Sequence, residues 1–152
     1  MALVTFNTEA TIVFDFDDAT TPADIEARVK AIPHPLNNAG TAIGLAMSYS
    51  TKVLHSQRGY RGGALTTIVL TDGNTQETPA QFDARRSKLV ARGSVIHAVG
   101  VGAEVTSSND SAMRDLNDIP TTGTGREYRI VSFDELVGQA DRIANDTICG
   151  PI

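Results

Sequence analysis

Ala64-Leu65-Thr66-Thr67-Ile68-Val69-Leu70-Thr71-Asp72-Gly73-Asn74-Thr75 is the stretch that decides the fold, because an apolar, β-branched run breaks off at an aspartate and a glycine. Val, Ile and Thr fit the pleated surface of a strand, and a run this apolar reads as a buried parallel strand over Leu65 to Thr71. A carboxylate set where such a strand stops points off the carboxyl edge of the sheet, where open α/β sheets bind their ligands. A second stretch, Gly40-Thr41-Ala42-Ile43-Gly44-Leu45-Ala46-Met47, places the Thr41 hydroxyl at the opening of a helix. The hydroxyl and the Asp72 carboxylate together predict a metal or anion site.

Outward from this strand, turn signals and periodicity divide the chain. Ala2 to Asn7 and Thr11 to Phe16 are rich in Val, Ile, Phe and Thr and read as an antiparallel hairpin across Thr8-Glu9-Ala10. Thr21-Pro22-Ala23-Asp24 is a threonine cap with proline at the first helical position, and its helix runs to about Ile32. Pro33 and Pro35 end it. The helix carrying Ile43, Met47 and Leu54 runs to about Gln57, Gly59 to Gly63 is a loop, and a helix from about Pro79 to Ala91 follows the central strand. Val95 to Val101 is the next buried strand. Ser107 to Ile119 is expected as a short irregular helix, Thr121 to Gly125 as a polar turn and Glu127 to Val131 as the last strand. Ser132-Phe133-Asp134-Glu135 has the pattern of a capping box opening a helix to about Ile148. From residue 20 onward helices and strands alternate, which implies a mainly parallel α/β sheet with helices on both faces. An antiparallel hairpin is an edge feature of such a sheet, and no segment supplies the central strand on which the later ones would build.

With 152 residues the chain suits a single domain, 1-152, with 41% hydrophobic and 20% charged residues and no apolar run that would span a bilayer. The net charge is -5 and the basic residues are scattered apart from Arg85-Arg86 and Lys88, so a nucleic-acid partner is not expected. Met1 leads directly into a strand-like segment, without the basic and apolar regions of a signal peptide. Cys149 is the only cysteine, which excludes an internal disulfide and leaves either a free thiol or a partner outside the chain.

The ordered pieces Ala2 to Asn7, Gly40 to Met47, Ile68 to Thr75, Gly93 to Gly102 and Val131 to Leu136 resemble a von Willebrand factor type A domain, across essentially the whole chain. The resemblance implies a Rossmann-like sheet with a metal-ion-dependent adhesion site at its carboxyl edge, built from an Asp-x-Ser-x-Ser loop, a threonine and an aspartate. Thr41 and Asp72 match the second and third contributions, with Gly40, Gly73 and Asn74 shaping a partner-binding rim. No aspartate in the chain carries the Asp-x-Ser-x-Ser spacing. The expectation is therefore a domain incomplete at its N-terminus, lacking a first strand and helix, with two unpaired strand edges where that strand would lie. In the intact parent, Mg²⁺, Mn²⁺ or Ca²⁺ would help bind an acidic side chain of a protein ligand. One hydroxyl and one carboxylate leave most of an octahedral shell to water, so metal binding by this chain alone is expected to be weak or absent. The implied function is a non-enzymatic adhesion or extracellular-matrix-type binding module.

Val13-Phe14-Asp15-Phe16-Asp17-Asp18-Ala19-Thr20 gives the competing reading, since it resembles the Asp-x-Asp-x-Thr motif of haloacid dehalogenase-like phosphotransferases. There Asp15 would be the nucleophile and Asp17 the general acid, but the threonine falls one residue late, and an acidic strand end before a capped helix is the plainer reading. His34 between prolines, His55 late in a helix and His97 within a strand are poor partners for Asp72 as a base. Gly100-Val101-Gly102-Ala103 lacks the third glycine and the acid of a dinucleotide loop, and reads as a tight strand exit. Sequons at Asn109 and Asn145 and the position of Cys149 fit an extracellular module within a larger secreted or membrane-anchored protein. In many extracellular members of the resembled family, a cysteine at that point pairs with one ahead of the first strand.

Overall fold

The computed structural model describes residues 1–18, 21–33, 40–73, 75–106 and 116–148. They gather into two compact units, one of residues 1–63 and 76–92, the other of 64–75 and 93–152.

In the first unit, β1 (Leu3–Phe6) and β2 (Ala10–Phe14) form the expected antiparallel hairpin, with Val4 opposite Ile12 and Phe6 opposite Ala10. Asn7 shapes its turn: its side-chain Oδ1 accepts from the Glu9 N–H at 2.8 Å, and its own N–H donates to the Glu9 carbonyl at 2.8 Å. Helix α1 (Pro22–Lys30) starts as read, with Thr21 Oγ1 accepting from the Asp24 N–H at 3.2 Å. Helix α2 (Ile43–Val53) packs against β1, β2 and α3 (Pro79–Ala91). Phe14, Ile43, Met47 and Leu89 are fully enclosed, and burying a side chain of this size contributes about 1.5–3 kcal/mol.

Two expectations for α2 need correction. The helix stops at Val53 and not near Gln57: Leu54 leaves helical geometry at φ −79, ψ 50 with its side chain buried, and Ser56–Arg58 form a separate 3-10 turn. Thr41 does not open the helix either, because the N-cap is Ala42, which has no side-chain acceptor to offer. Helix α3, by contrast, carries a full capping box that the sequence reading passed over, with Thr78 and Gln81 exchanging side-chain to backbone bonds.

The second unit holds a parallel sheet of β3 (Leu65–Thr71), β4 (Ser94–Val101) and β5 (Glu127–Ile130), in the order β3-β4-β5. Hairpin and parallel strands thus form two sheets in an α/β fold. Helix α5 (Phe133–Thr147) packs on β4 and β5, and Val99, Val101, Tyr128, Ile130 and Ile143 make the core, with Leu136 packed against it. Ser132 caps α5 by accepting from the Glu135 N–H at 3.2 Å. The reciprocal half of that box is displaced by one residue, since Glu135 accepts from the Val131 N–H and not from that of Ser132.

β3 is less buried than its composition implies. Val69 and Thr71 are buried, but Ile68 and Leu70 are 41% and 46% exposed. Among the described residues β3 has a strand neighbour only in β4, while α5 packs on β4 and β5. A short helix α4 (Ala103–Thr106) follows β4 where the sequence reading placed none. Of the irregular helix expected over Ser107 to Ile119, residues 107–115 lie outside the described residues, and 116–118 are helical. The sequon at Asn109 lies outside them too, as does Cys149, whereas Asn145 sits in the last turn of α5 and the hydroxyl of its partner Thr147 bonds to the Ile143 carbonyl at 2.7 Å.

Candidate functional site

The loop bearing Thr41 is fixed through its backbone. The Ala42 N–H donates to the Asn7 carbonyl at 2.7 Å, and the Thr41 carbonyl accepts from the Gln76 N–H at 2.9 Å. Gly40 adopts φ +138, a conformation that side chains rarely tolerate, and the Gln76 side chain fills the space where a β-carbon would lie. Thr41 itself is half-buried, and among the described residues nothing engages its Oγ1.

The first turn of α2 is capped from a distance. The Gly44 N–H donates to the carboxylate of Glu77, whose side chain is only 8% exposed and forms an ion pair with Arg85 of α3. Nothing in the sequence near residue 44 announces this, because the two residues lie 33 apart. The legible hint would have been an acidic residue just after the Asp72 loop combined with an alanine at the N-cap.

Asp72 follows directly on β3. The buried Thr71 hydroxyl accepts from the Gly73 N–H and donates to the Gly73 carbonyl, both at 3.3 Å, so a compact turn presents Asp72 outward. Its carboxylate is exposed, and no described residue bonds to it. Gly73 is half-buried, and the rim residue Asn74 lies outside the described residues. Gly40 and Thr41 belong to the first unit, Asp72 and Gly73 to the second.

As a metal site, these residues do not fit by themselves. Among the described residues no three His, Cys, Asp or Glu side chains form a group able to hold an ion. One hydroxyl and one carboxylate are also far short of the oxygen shell that Mg²⁺ demands.

The acidic stretch after β2 is a turn in which the Asp15 and Asp18 carboxylates are already in use. Asp15 Oδ1 accepts from the Asp17 N–H at 3.1 Å, Asp15 Oδ2 pairs with Arg58 at 3.1 Å, and Asp18 accepts from the Asp15 N–H at 2.9 Å. This supports the turn reading over the phosphotransferase one. Asp15 does line an open cleft of about 480 Å³ with Lys52, His55, Gln57 and Arg58, a cluster the sequence reading missed although Lys52, His55 and Arg58 recur at a spacing of three.

Among the described residues, the groups with shifted titration belong to the second unit. His97 is buried and its Nδ1 accepts from the Arg126 N–H at 3.1 Å; burial first, and the Arg126 charge second, hold its pKa below the usual histidine value. Tyr128 is pushed up, by burial first and by the Asp146 carboxylate second. His34 lies outside the described residues.

Comparison with known proteins places this geometry. A family profile described as the von Willebrand factor type A domain matches residues 1–142. Among solved structures, the chain is similar to proximal thread matrix protein 1 from the mussel byssus, in a structure described as having a zinc-occupied MIDAS motif. That match has 20% identity and a TM-score of 0.78, and covers 95% of this chain and 35% of that one. It is also similar to a von Willebrand factor type A protein from Catenulispora acidiphila, with 20% identity, TM-score 0.68, and coverage of 93% and 32%. A third similar structure is BatB from Bacteroides thetaiotaomicron, with 21% identity, TM-score 0.65, and coverage of 93% and 74%. The chain therefore spans about a third of the length of the first structures it matches. No curated protein matches it. The profile match runs through the β1–β2 hairpin, the Thr41 loop, the β3–Asp72 turn and most of α5, and on that ground the chain belongs to the von Willebrand factor type A family.

Proposed function

We propose that residues 1–152 act as one protein-recognition module of the adhesion or extracellular-matrix type, with Gly40, Thr41, Asp72, Gly73 and Asn74 as its partner-binding residues. Members of this family are typically non-enzymatic interaction modules, and the present reading is the same. The observation that carries it is the state of two oxygens: the exposed Asp72 carboxylate, in a turn directly after β3, and Thr41 Oγ1, in a loop braced by backbone bonds, are both unclaimed by any described residue. Polar atoms held in order without an internal partner are available to an external one.

The finer part of the reading concerns a divalent cation. Thr41 and Asp72 would each offer one oxygen donor to Mg²⁺, Mn²⁺ or Ca²⁺. The zinc-occupied MIDAS motif of the mussel protein supports a divalent cation as the kind of ligand. An acidic side chain of a protein ligand is the chemistry such a site would recruit. Placement outside the cell, within a larger secreted or membrane-anchored protein, is proposed on the family's common occurrence there and on the mussel matrix protein among the similar structures. No helix among the described residues is long and apolar enough to cross a membrane.

The test is titration of MnCl₂ into the chain, followed by water-proton relaxation. The expected dissociation constant is on the order of millimolar or weaker, and Asp72→Ala and Thr41→Ala each remove what binding there is. Capture on an array of acidic peptides, stronger with Mn²⁺ and lost in Asp72→Ala, is the matching result for recognition. Micromolar binding untouched by either substitution would overturn the site assignment, and phosphatase turnover lost in Asp15→Asn would overturn the non-enzymatic reading.

A further inference from the structure

We propose that Glu77, paired with Arg85, is a positioning residue that fixes the loop carrying Thr41 from the far side of α2's N-terminus. The inference rests on the reading of Thr41 as a rim residue. A helix opens with amides that have no partner within it, and a capping side chain ordinarily satisfies one of them. In α2 the cap position is Ala42, at φ −103, ψ 71 and with no side-chain bond, so the helix cannot satisfy them locally. Glu77 supplies the acceptor instead, at the Gly44 N–H, and places a negative charge where the helix dipole favours it.

That carboxylate is enclosed at 8% exposure, a state that needs a compensating charge, and Arg85 provides it from α3. The preceding residue completes the clamp, since the Gln76 N–H holds the Thr41 carbonyl at 2.9 Å and the Gln76 side chain lies over Gly40. Residues 76 and 77 therefore grip the segment 40–44 at three points, with Thr41 at the centre. Gly44 is part of the device: an added β-carbon would stand 2.7 Å from Glu77 Oε2, so glycine is what lets the carboxylate come in. The charge on Glu77, oriented by Arg85, thus decides where Thr41 Oγ1 is presented.

Amide hydrogen exchange and three-bond couplings of Thr41, both read by NMR on the full chain, separate this from a general contribution to folding. In Glu77→Ala, exchange at Gly44 is expected to accelerate on the order of 30-fold, with the Thr41 side-chain couplings collapsing to rotamer-averaged values. Glu77→Gln keeps an oxygen acceptor without the charge and should fall between the two, which covers the case in which the alanine variant does not fold. Thr21→Ala removes the α1 cap in the same unit and should leave Gly44 and Thr41 within about twofold of wild type. Wild-type Thr41 couplings in Glu77→Ala or Glu77→Gln, or acceleration at Gly44 no greater than in Thr21→Ala, would overturn the proposal. The MnCl₂ titration stands apart: if it fails to depend on Thr41, the cation reading falls while exchange and couplings still judge the clamp.

Discussion

Gly44→Ala should destabilise the protein, although helix propensity alone says the reverse. Gly44 is the second residue of α2, and alanine is favoured over glycine in a helix by about 0.8–1 kcal/mol, with a smaller gain in a first turn. Against this, the new methyl carbon would lie 2.7 Å from Glu77 Oε2, 3.0 Å from Oε1 and 3.1 Å from Cδ. The carboxylate must withdraw and release the Gly44 N–H, and a hydrogen bond to a charged acceptor contributes about 1.5–3 kcal/mol. The net loss is about 1–2 kcal/mol. With Glu77→Ala already in place the obstruction is gone, so the same glycine substitution should then be neutral or stabilise by up to about 1 kcal/mol. Urea denaturation followed by circular dichroism, in a double-mutant cycle over the two positions, should give a coupling of about 2 kcal/mol. An equal stabilisation by Gly44→Ala in both backgrounds would refute the reasoning.

Two further outcomes follow from the same structure. The pKa of His97 is lowered by burial, so the unfolded chain takes up its proton first: the stability tied to His97 is complete above about pH 6.5 and is lost as pH falls below it. His97→Asn, which keeps an acceptor for the Arg126 N–H without titrating there, should flatten the dependence of unfolding free energy on pH between about 7.5 and 5.5. Thr78→Ala removes the capping box of α3 and should cost about 1 kcal/mol in denaturant titrations, with Thr78→Ser retaining most of it.

Much of the fold was legible because it is encoded by neighbours in the chain. β3 and α3 have the read bounds, Leu65–Thr71 and Pro79–Ala91, since β-branched alternation and a proline after a capping residue act within a few residues. The hairpin was readable for the same reason. The early end of α2 was not, because Leu54 turns inward to be buried, and burial depends on what the rest of the chain brings to it. The exposure of Ile68 and Leu70 was equally hidden: composition tells that a strand prefers cover, not which neighbours provide it.

The sequence by itself determined the order of the main strands and helices, the carboxylate at the end of β3, the glycine-threonine loop before α2 and, through their combined pattern, the family. Tertiary structure alone decided what holds that loop. The amide of Gly44 meets Glu77 across 33 residues, Arg85 comes from a different helix to neutralise it, and Gln76 reaches back to the Thr41 carbonyl. Local propensity fixes dihedral angles over a turn or two. The pairing of a buried charge is a condition on groups that only folding brings within reach.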